Sequence, residues 1–182
     1  MSRFTKYVFV FFAIFSLAGC SHFKRFKEVA KNNYNSEIPL EEQLRDNAVV
    51  VCKAKNEEKV SRGKYWFFYP TTYFTFETRQ EDKFCIDDSA DQWSVKLVRP
   101  GVYRLSEVSR LVERTTSYWY DFDYYFYVGA GEVVYLDDLS IYPSSRKVNF
   151  INNFEQAMKF ISKIYPALAK KLKKKSYVGV KK

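Results

Sequence analysis

The chain has 182 residues, with 30 lysines and arginines against 21 aspartates and glutamates, and a formal net charge of +9. A basic balance of this kind usually suggests a nucleic-acid partner. The excess, however, lies at the two ends, in Arg3, Lys6 and the lysines that follow Ala169, so that the body between them is neutral. The charge therefore does not indicate nucleic-acid binding, and the length suits a single domain.

The first nineteen residues have the organisation of a secretory signal peptide. Arg3 and Lys6 precede an uncharged run over residues 7–18, which is shorter than the roughly 20 residues that span a bilayer. The run ends in Leu17-Ala18-Gly19-Cys20, which resembles the lipobox of bacterial lipoproteins. The alternative is an ordinary signal peptide with a chance cysteine.

The lipobox resemblance implies how the protein is held. In that family residues 1–19 are removed, Cys20 is acylated and becomes the new N-terminus, and Ser21 in place of aspartate directs the protein to the outer membrane. Because two or more acyl chains anchor a protein stably, the implied address is the cell envelope, with a lipid anchor in the outer membrane.

The mature chain begins with a polar segment and continues with β-type patterns. Residues 20–46 lack strand runs and are predicted to be a lipidated tether. Residues 47–150 contain about seven or eight short β-branched, aromatic or alternating runs, separated by turn signals such as Pro70-Thr71 and Pro100-Gly101. In "DQWSVKLV" the alternation predicts a half-buried strand with Lys96 on its polar face. The pattern predicts a mainly β fold, an antiparallel β-sandwich.

The period changes to helical in residues 151–182. Asn152 or Asn153 can cap a helix, and apolar residues recur on one helical face at Phe154, Ala157, Met158, Ile161 and Ile164. Pro166 suits the first turn of a second helix, "PALAKKLKKK". We expect a C-terminal helical hairpin that ends in a lysine-rich tail.

Three segments also resemble a known group of proteins. "RPGVYRL", "GAGEVVYLDDLSI" and "YPALAKKL" are similar to segments of β-sandwich envelope lipoproteins of bacteria whose function is unassigned. The resemblance covers about residues 93–172, with Asp137 where that group would have glycine. It implies a sandwich fold and a surface address, and it brings no catalytic residues.

With Cys20 assigned to lipid, Cys52 and Cys85 remain. In an oxidising compartment the simplest prediction is one disulfide between them, and the alternative is two buried thiols. Catalytic thiol chemistry is not indicated, since a nucleophilic cysteine needs a neighbouring imidazole and the single histidine, His22, lies beside the lipid anchor.

The sequence predicts no catalytic motif, cofactor or metal site. It contains no Gly-x-Ser-x-Gly motif and no histidine pair that would hold zinc. Asp87, Asp88 and Asp91 offer oxygens to calcium, but the loop lacks the glycine and terminal glutamate of an EF-hand. A solvated acidic turn is therefore the preferred interpretation.

The stretch "YWYDFDYYFY", residues 118–127, has eight aromatic residues in ten. As one strand it would direct Phe122, Tyr124 and Phe126 to the core. The opposite face is predicted to bind a ligand or partner, because exposed aromatic rings mark binding surfaces and carboxylates beside them can accept sugar hydroxyls. The alternative is a second buried face with a wet edge. The residues of the predicted binding face are Trp119, Asp121, Asp123, Tyr125 and Tyr127.

The lysines after Pro166 would spread around most of a helix, so that a neutral body could not pair with all of them. We therefore predict contact with an anionic lipid or wall polymer. The alternatives are a favourable interaction with the helix dipole and a solubilising tail. The lysines concerned are Lys170, Lys171, Lys173, Lys174 and Lys175.

Taken together, these features predict a non-catalytic envelope lipoprotein, anchored in the outer membrane, whose sandwich binds a partner protein or a glycan. The alternative is a carboxylate-dependent hydrolase of an envelope glycan, because that chemistry needs only two acids at a set separation. Asp121 and Asp123 would be its candidates.

Overall fold

A computed structural model describes residues 30, 32–57, 71–80, 82–87, 93–111, 116–118, 122, 124–142, 145 and 147–179. The prediction of a mainly β chain with a few helices is confirmed. The predicted signal peptide, Cys20 and three members of the predicted binding face, Trp119, Asp121 and Asp123, lie outside the described residues. None of the helices in the described ranges has the length and apolar character needed to cross a membrane.

The described ranges contain thirteen strands, where about seven or eight were expected. They are β1 (Ala48–Cys52), β2 (Ala54–Asn56), β3 (Thr71–Glu77), β4 (Lys83–Asp87), β5 (Ser94–Val98), β6 (Gly101–Leu111), β7 (Thr116–Tyr118), β8 (Tyr124–Val128), β9 (Val133–Leu136), β10 (Asp138–Tyr142), β11 (Lys147–Ile151), β12 (Leu172–Lys175) and β13 (Val178–Gly179). The helices are α1 (Leu40–Leu44), α2 (Phe154–Ile164) and α3 (Pro166–Ala169).

The strands form three sheets. Sheet A has the order β12-β9-β1-β5, sheet B has the order β11-β10-β2, and sheet C has the order β13-β8-β6-β3-β4 with β7 paired to β6. The expectation of antiparallel pairing throughout is wrong, since β1–β9, β2–β10 and β9–β12 are parallel. Between β1 and β9 the chain adds β5 to sheet A and visits sheet C before and after it, and β9 runs in the same direction as β1.

Two hydrophobic clusters lie on the two faces of sheet A. Val50 and Val134 face a cluster that also contains apolar side chains of sheets B and C. Val49 and Val133 face a second cluster with Ala157 of α2 and other helical residues. Because both faces of β1 are buried, its sequence "AVVVC" is apolar at every position.

Helix α2 follows the predicted apolar face in part. Ala157 and Ile161 are buried and Phe154 packs against the helix-side cluster, but Ile164 is exposed. The side chain of Asn153 does not cap the helix and instead donates a hydrogen bond to Asp138 at 2.8 Å. Of the two predicted capping residues, Asn152 accepts a hydrogen bond from the Phe154 amide at 3.2 Å, whereas Asn153 makes a tertiary contact.

The lysine-rich segment is a strand, not the continuation of a helix. α3 ends at Ala169, and Leu172–Lys175 pairs in parallel with β9 at the edge of sheet A. The chain then crosses to sheet C, where Val178 and Gly179 pair with β8. Between the two strands, the ring of Tyr177 packs against the cluster shared by the three sheets. The C-terminal segment thus connects the edges of sheets A and C.

The described part of the predicted tether packs against the domain. Asn33 forms a β-bridge with Lys96, and the Tyr34 amide donates to the Val95 carbonyl at 3.0 Å. Tyr34 also meets Tyr165 edge to face, with the ring centres 5.4 Å apart, and Leu44 of α1 is buried. These contacts extend sheet A beyond β5.

Candidate functional site

The aromatic stretch is divided between two strands, β7 and β8, and its two faces differ as predicted over β8. Phe126 is buried and Tyr124 packs against the cluster shared by the sheets, as does Phe122 from the loop before β8. Tyr125 and Tyr127 point the opposite way, since neighbouring residues of a strand alternate. Tyr127 is 57% exposed, so the alternative of a second buried face is wrong at this residue.

Two valines on neighbouring strands enlarge this exposed face. Val102 of β6 lies opposite Tyr127, and Val178 of β13 lies opposite Tyr125. The exposed fractions of Val102 and Val178 are 54% and 67%. We call these four residues, Val102, Tyr125, Tyr127 and Val178, the outer patch. Sequence analysis found the two tyrosines, but the valines come from distant parts of the chain that no local pattern connects.

A lysine of the tail lies beside Tyr127. Lys175 Nζ is 5.2 Å from the centre of the Tyr127 ring and 2.8 Å from Glu132 Oε2. The same glutamate oxygen accepts a hydrogen bond from the Gly129 amide at 2.6 Å. Burial alone would raise the pKa of Glu132, but the Gly129 hydrogen bond and the charges of Lys175 and Lys173 outweigh it, so that the pKa is lowered. Glu132 is therefore ionised, and its carboxylate is bound to Lys175 and to the Gly129 amide.

The five predicted tail lysines differ in their surroundings. Ion pairs join Lys171 to Glu41 at 2.8 Å and Lys174 to Asp137 at 3.5 Å, in addition to the pair of Lys175. The body thus pairs with three of the five lysines, one before β12 and two within it, while no ion pair within the described residues involves Lys170 or Lys173. Lys170 and Lys173 are exposed. Contact with an anionic surface stays a prediction, now carried by fewer charges.

The pair of Lys174 and Asp137 is weaker than its distance suggests. Asp137 Oδ1 is buried and makes no hydrogen bond to any described residue, although Lys174 Nζ lies 3.5 Å away. At that separation the two charges attract each other, but the donor geometry is not that of a hydrogen bond.

The structure shows Cys52 and Cys85 as buried thiols that are not joined to each other. They lie on different sheets, in β1 and β4. Burial raises the pKa of Cys52 to about 12, an effect that the charge of Lys96 partly opposes. The arrangement is that of the alternative interpretation, two buried thiols, and a thiol with so high a pKa is a poor nucleophile.

Lys96 is a buried lysine that sequence analysis placed on a polar face. It is only 1% exposed, and its Nζ donates to Asn33 Oδ1 at 2.6 Å. Burial lowers the pKa of Lys96, while the nearby Cys52 and Cys85 oppose that shift. The alternation of "WSVKLV" did not predict the burial of Lys96, because the residue that binds Lys96, Asn33, belongs to the N-terminal segment.

The best-connected carboxylate of the described residues is structural. Asp138 accepts hydrogen bonds from Trp93 Nε1 at 2.8 Å, from the Tyr135 hydroxyl at 3.0 Å and from Asn153 Nδ2 at 2.8 Å. Trp93 directly precedes β5, Tyr135 belongs to β9 and Asn153 directly precedes α2, so that Asp138 connects sheet B with sheet A and the helices. Its acceptor capacity is used within the fold.

The described ranges contain no cluster of metal-ligand residues. No group of three or more His, Cys, Asp or Glu residues there could hold a metal ion. The carboxylates of the hydrolase alternative, Asp121 and Asp123, lie outside the described residues. The outer patch with Lys175 is therefore the candidate site.

Comparisons with protein-family models, with curated proteins and with solved structures find no match to this chain. The resemblance to envelope lipoproteins thus rests on the quoted sequence motifs alone.

Proposed function

We propose that the chain is a non-catalytic envelope lipoprotein, anchored in the outer membrane through Cys20, whose β-sandwich binds a partner protein at the outer patch. The lipobox supports the anchor, and the exposed apolar side chains of the patch support the binding role. The sandwich is supported by the cluster in which side chains of sheets A, B and C pack together.

The observation that carries the binding role is the exposure of the outer patch. Six large hydrophobic side chains are exposed in the described part of the chain, and Val102, Tyr127 and Val178 are three of them. Exposed apolar side chains that occur singly need no explanation, whereas contiguous ones mark interaction surfaces. Pairing in register places these three on adjacent strands of one face.

A protein partner suits the patch better than a glycan. A sugar that stacks on a ring also needs nearby polar groups to bind its hydroxyls. Here Glu132 is already bound to Lys175 and to the Gly129 amide. The residue opposite Tyr127 is Val102, and Arg104 lies farther along β6, opposite Tyr125. Valine and tyrosine side chains instead match the apolar centre of a protein interface.

Site-specific photocrosslinking in intact cells tests the binding role. A photoreactive amino acid is placed at Val178 of the full-length chain, and a matched control carries it at Ile151, which is 45% exposed on β11. We expect a protein adduct from position 178 that is absent from position 151 and is reduced by Tyr127→Ala. Equal adducts at both positions, no adduct, or an adduct that contains only glycan would overturn the proposal.

The anchor is tested separately. Cys20→Ser should leave the protein without acyl mass and move it from the membrane fraction to the soluble fraction. A wild-type protein that carries no acyl group would refute the anchor. Turnover of a purified wall polymer, abolished by Asp121→Asn, would overturn the non-catalytic assignment.

A further inference from the structure

The edge strand β12 directs two lysines toward the outer patch. Lys173 and Lys175 share one face of the strand, because residues two apart in a strand point the same way. Their register partners on β9 are Val134 and Leu136, which face the cluster that sheet A shares with sheet C. Lys173 and Lys175 therefore project past the edge of that cluster toward sheet C, where Tyr127 lies.

The carboxylate of Glu132 interacts with the charges of both lysines. Glu132 pairs with Lys175 at 2.8 Å, and the charge of Lys173 also acts on it. One oxygen of Glu132 is in addition bound to the Gly129 amide. Among the described residues, Glu132 is thus paired with Lys175, while Lys173 adds a second positive charge on the same face of β12, near the exposed ring of Tyr127.

The remaining tail lysines do not contribute to this charge. Lys171 is paired with Glu41, and Lys174 with Asp137. Lys174 lies in register with Tyr135, whose side chain belongs to the helix-side cluster, so it points to the opposite face of sheet A. Lys170 follows α3 and precedes the strand. Within the described residues, the aromatic face and the lysine tail therefore meet at Lys175, and Lys173 lies on the same face of β12.

We propose that the partner of the outer patch is an acidic protein segment, whose carboxylates pair with Lys173 and Lys175 while its apolar side chains pack on Tyr127. This inference deepens the proposed function and rests on it. An excess positive charge beside apolar side chains is complementary to a partner that carries both acidic and apolar groups, and such complementarity selects partners and speeds their association.

A protein segment fits this arrangement better than a membrane surface. An anionic lipid layer would attract the lysines, but its dense negative charge would also repel the ionised Glu132 beside Lys175. A segment of protein can place its carboxylates at the two ammonium groups and leave the surroundings of Glu132 uncharged.

The test measures binding of two short fluorescent peptides to the full lipidated protein in nonionic detergent. The peptides have the same length and leucine content, and one carries glutamates where the other carries lysines. We expect the acidic peptide alone to bind, with an affinity that falls as salt is raised. Lys173→Gln should weaken this binding about two- to five-fold, the range of an exposed ion pair. Lys170→Gln is the matched control and should leave it unchanged.

Two results would overturn the inference. The first is equal binding of both peptides, or equal effects of Lys173→Gln and Lys170→Gln. The second is binding of phosphatidylglycerol vesicles that depends on Lys173 without binding of the acidic peptide, which would assign the lysines to a lipid surface. Neither result changes the protein adduct expected at Val178, so that a failure of this inference is distinguishable from a failure of the proposed function.

Discussion

Removing the hydroxyl group of Tyr177 is expected to stabilise the protein. The ring lies among other rings, with centre-to-centre distances of 4.9 Å to Phe150, 5.8 Å to Phe126 and 6.4 Å to Phe76. Its hydroxyl is buried and makes no hydrogen bond to any described residue. Burial raises the pKa of Tyr177 well above its ordinary value, as expected for a phenol kept from water.

Two substitutions separate the contribution of the Tyr177 hydroxyl to the free energy of unfolding from that of the ring. An unsatisfied buried polar group costs about 1–3 kcal/mol, so Tyr177→Phe should increase the free energy of unfolding by about 1 kcal/mol. Tyr177→Ala removes the ring as well and should lower it by about 3–5 kcal/mol, as for other large aromatic residues in cores. The two substitutions at one position should therefore change stability in opposite directions.

Urea unfolding of the three proteins, followed by circular dichroism, measures both effects. A change of 1 kcal/mol in a domain of this size also moves the melting temperature by about 2–4 °C, which gives an independent reading. If Tyr177→Phe lowered the free energy of unfolding by 1 kcal/mol or more, the hydroxyl would have a hydrogen-bond partner and the reasoning would be refuted.

Four further outcomes are expected. Truncation after Ala169 removes β12, the Tyr177 ring and β13, so the cooperative unfolding transition should be lost; an unchanged urea midpoint would contradict this. Asp138→Ala removes the acceptor of three hydrogen bonds, those from Trp93, Tyr135 and Asn153, and should lower the free energy of unfolding by about 3 kcal/mol in urea, whereas Asp138→Asn should have a smaller effect. Because burial raises the pKa of Cys52 to about 12, the unfolded chain releases this proton at lower pH than the folded one. The associated stability is fully present below about pH 9 and is lost toward pH 12, with a limiting slope of about 1.4 kcal/mol per pH unit; Cys52→Ala should have a shallower profile. Finally, protein unfolded without reductant should show two thiols, Cys52 and Cys85, to an alkylating reagent, and a count of zero would establish the disulfide.

Local patterns predicted the parts of the fold that depend on local periodicity. In β1 the run of apolar residues indicates a strand that is buried on both faces, and the spacing from Phe154 to Ile161 indicates a helix with one buried face. The alternation of β8 likewise separated Tyr125 and Tyr127 from the core-facing Phe126. These features needed no knowledge of which element would cover them.

The tail could not be predicted in this way. A run of lysines around Leu172 has no β-propensity of its own, and its strand exists because the backbone of β9 offers a free edge far away in sequence. The same holds for the buried Lys96, whose Nζ donates to Asn33, and for the contact of Lys175 with Tyr127. Each depends on a tertiary contact that overrides the local pattern.

The position of β12 at the margin of sheet A has one more consequence. An unpaired strand edge is a template on which a second chain can add, and proteins often discourage this with lysines. Lys173, Lys174 and Lys175 occupy the outermost strand of sheet A, so that two such edges brought together would repel each other. This repulsion would guard against edge-to-edge aggregation, above all between copies held on one membrane by the proposed lipid anchor.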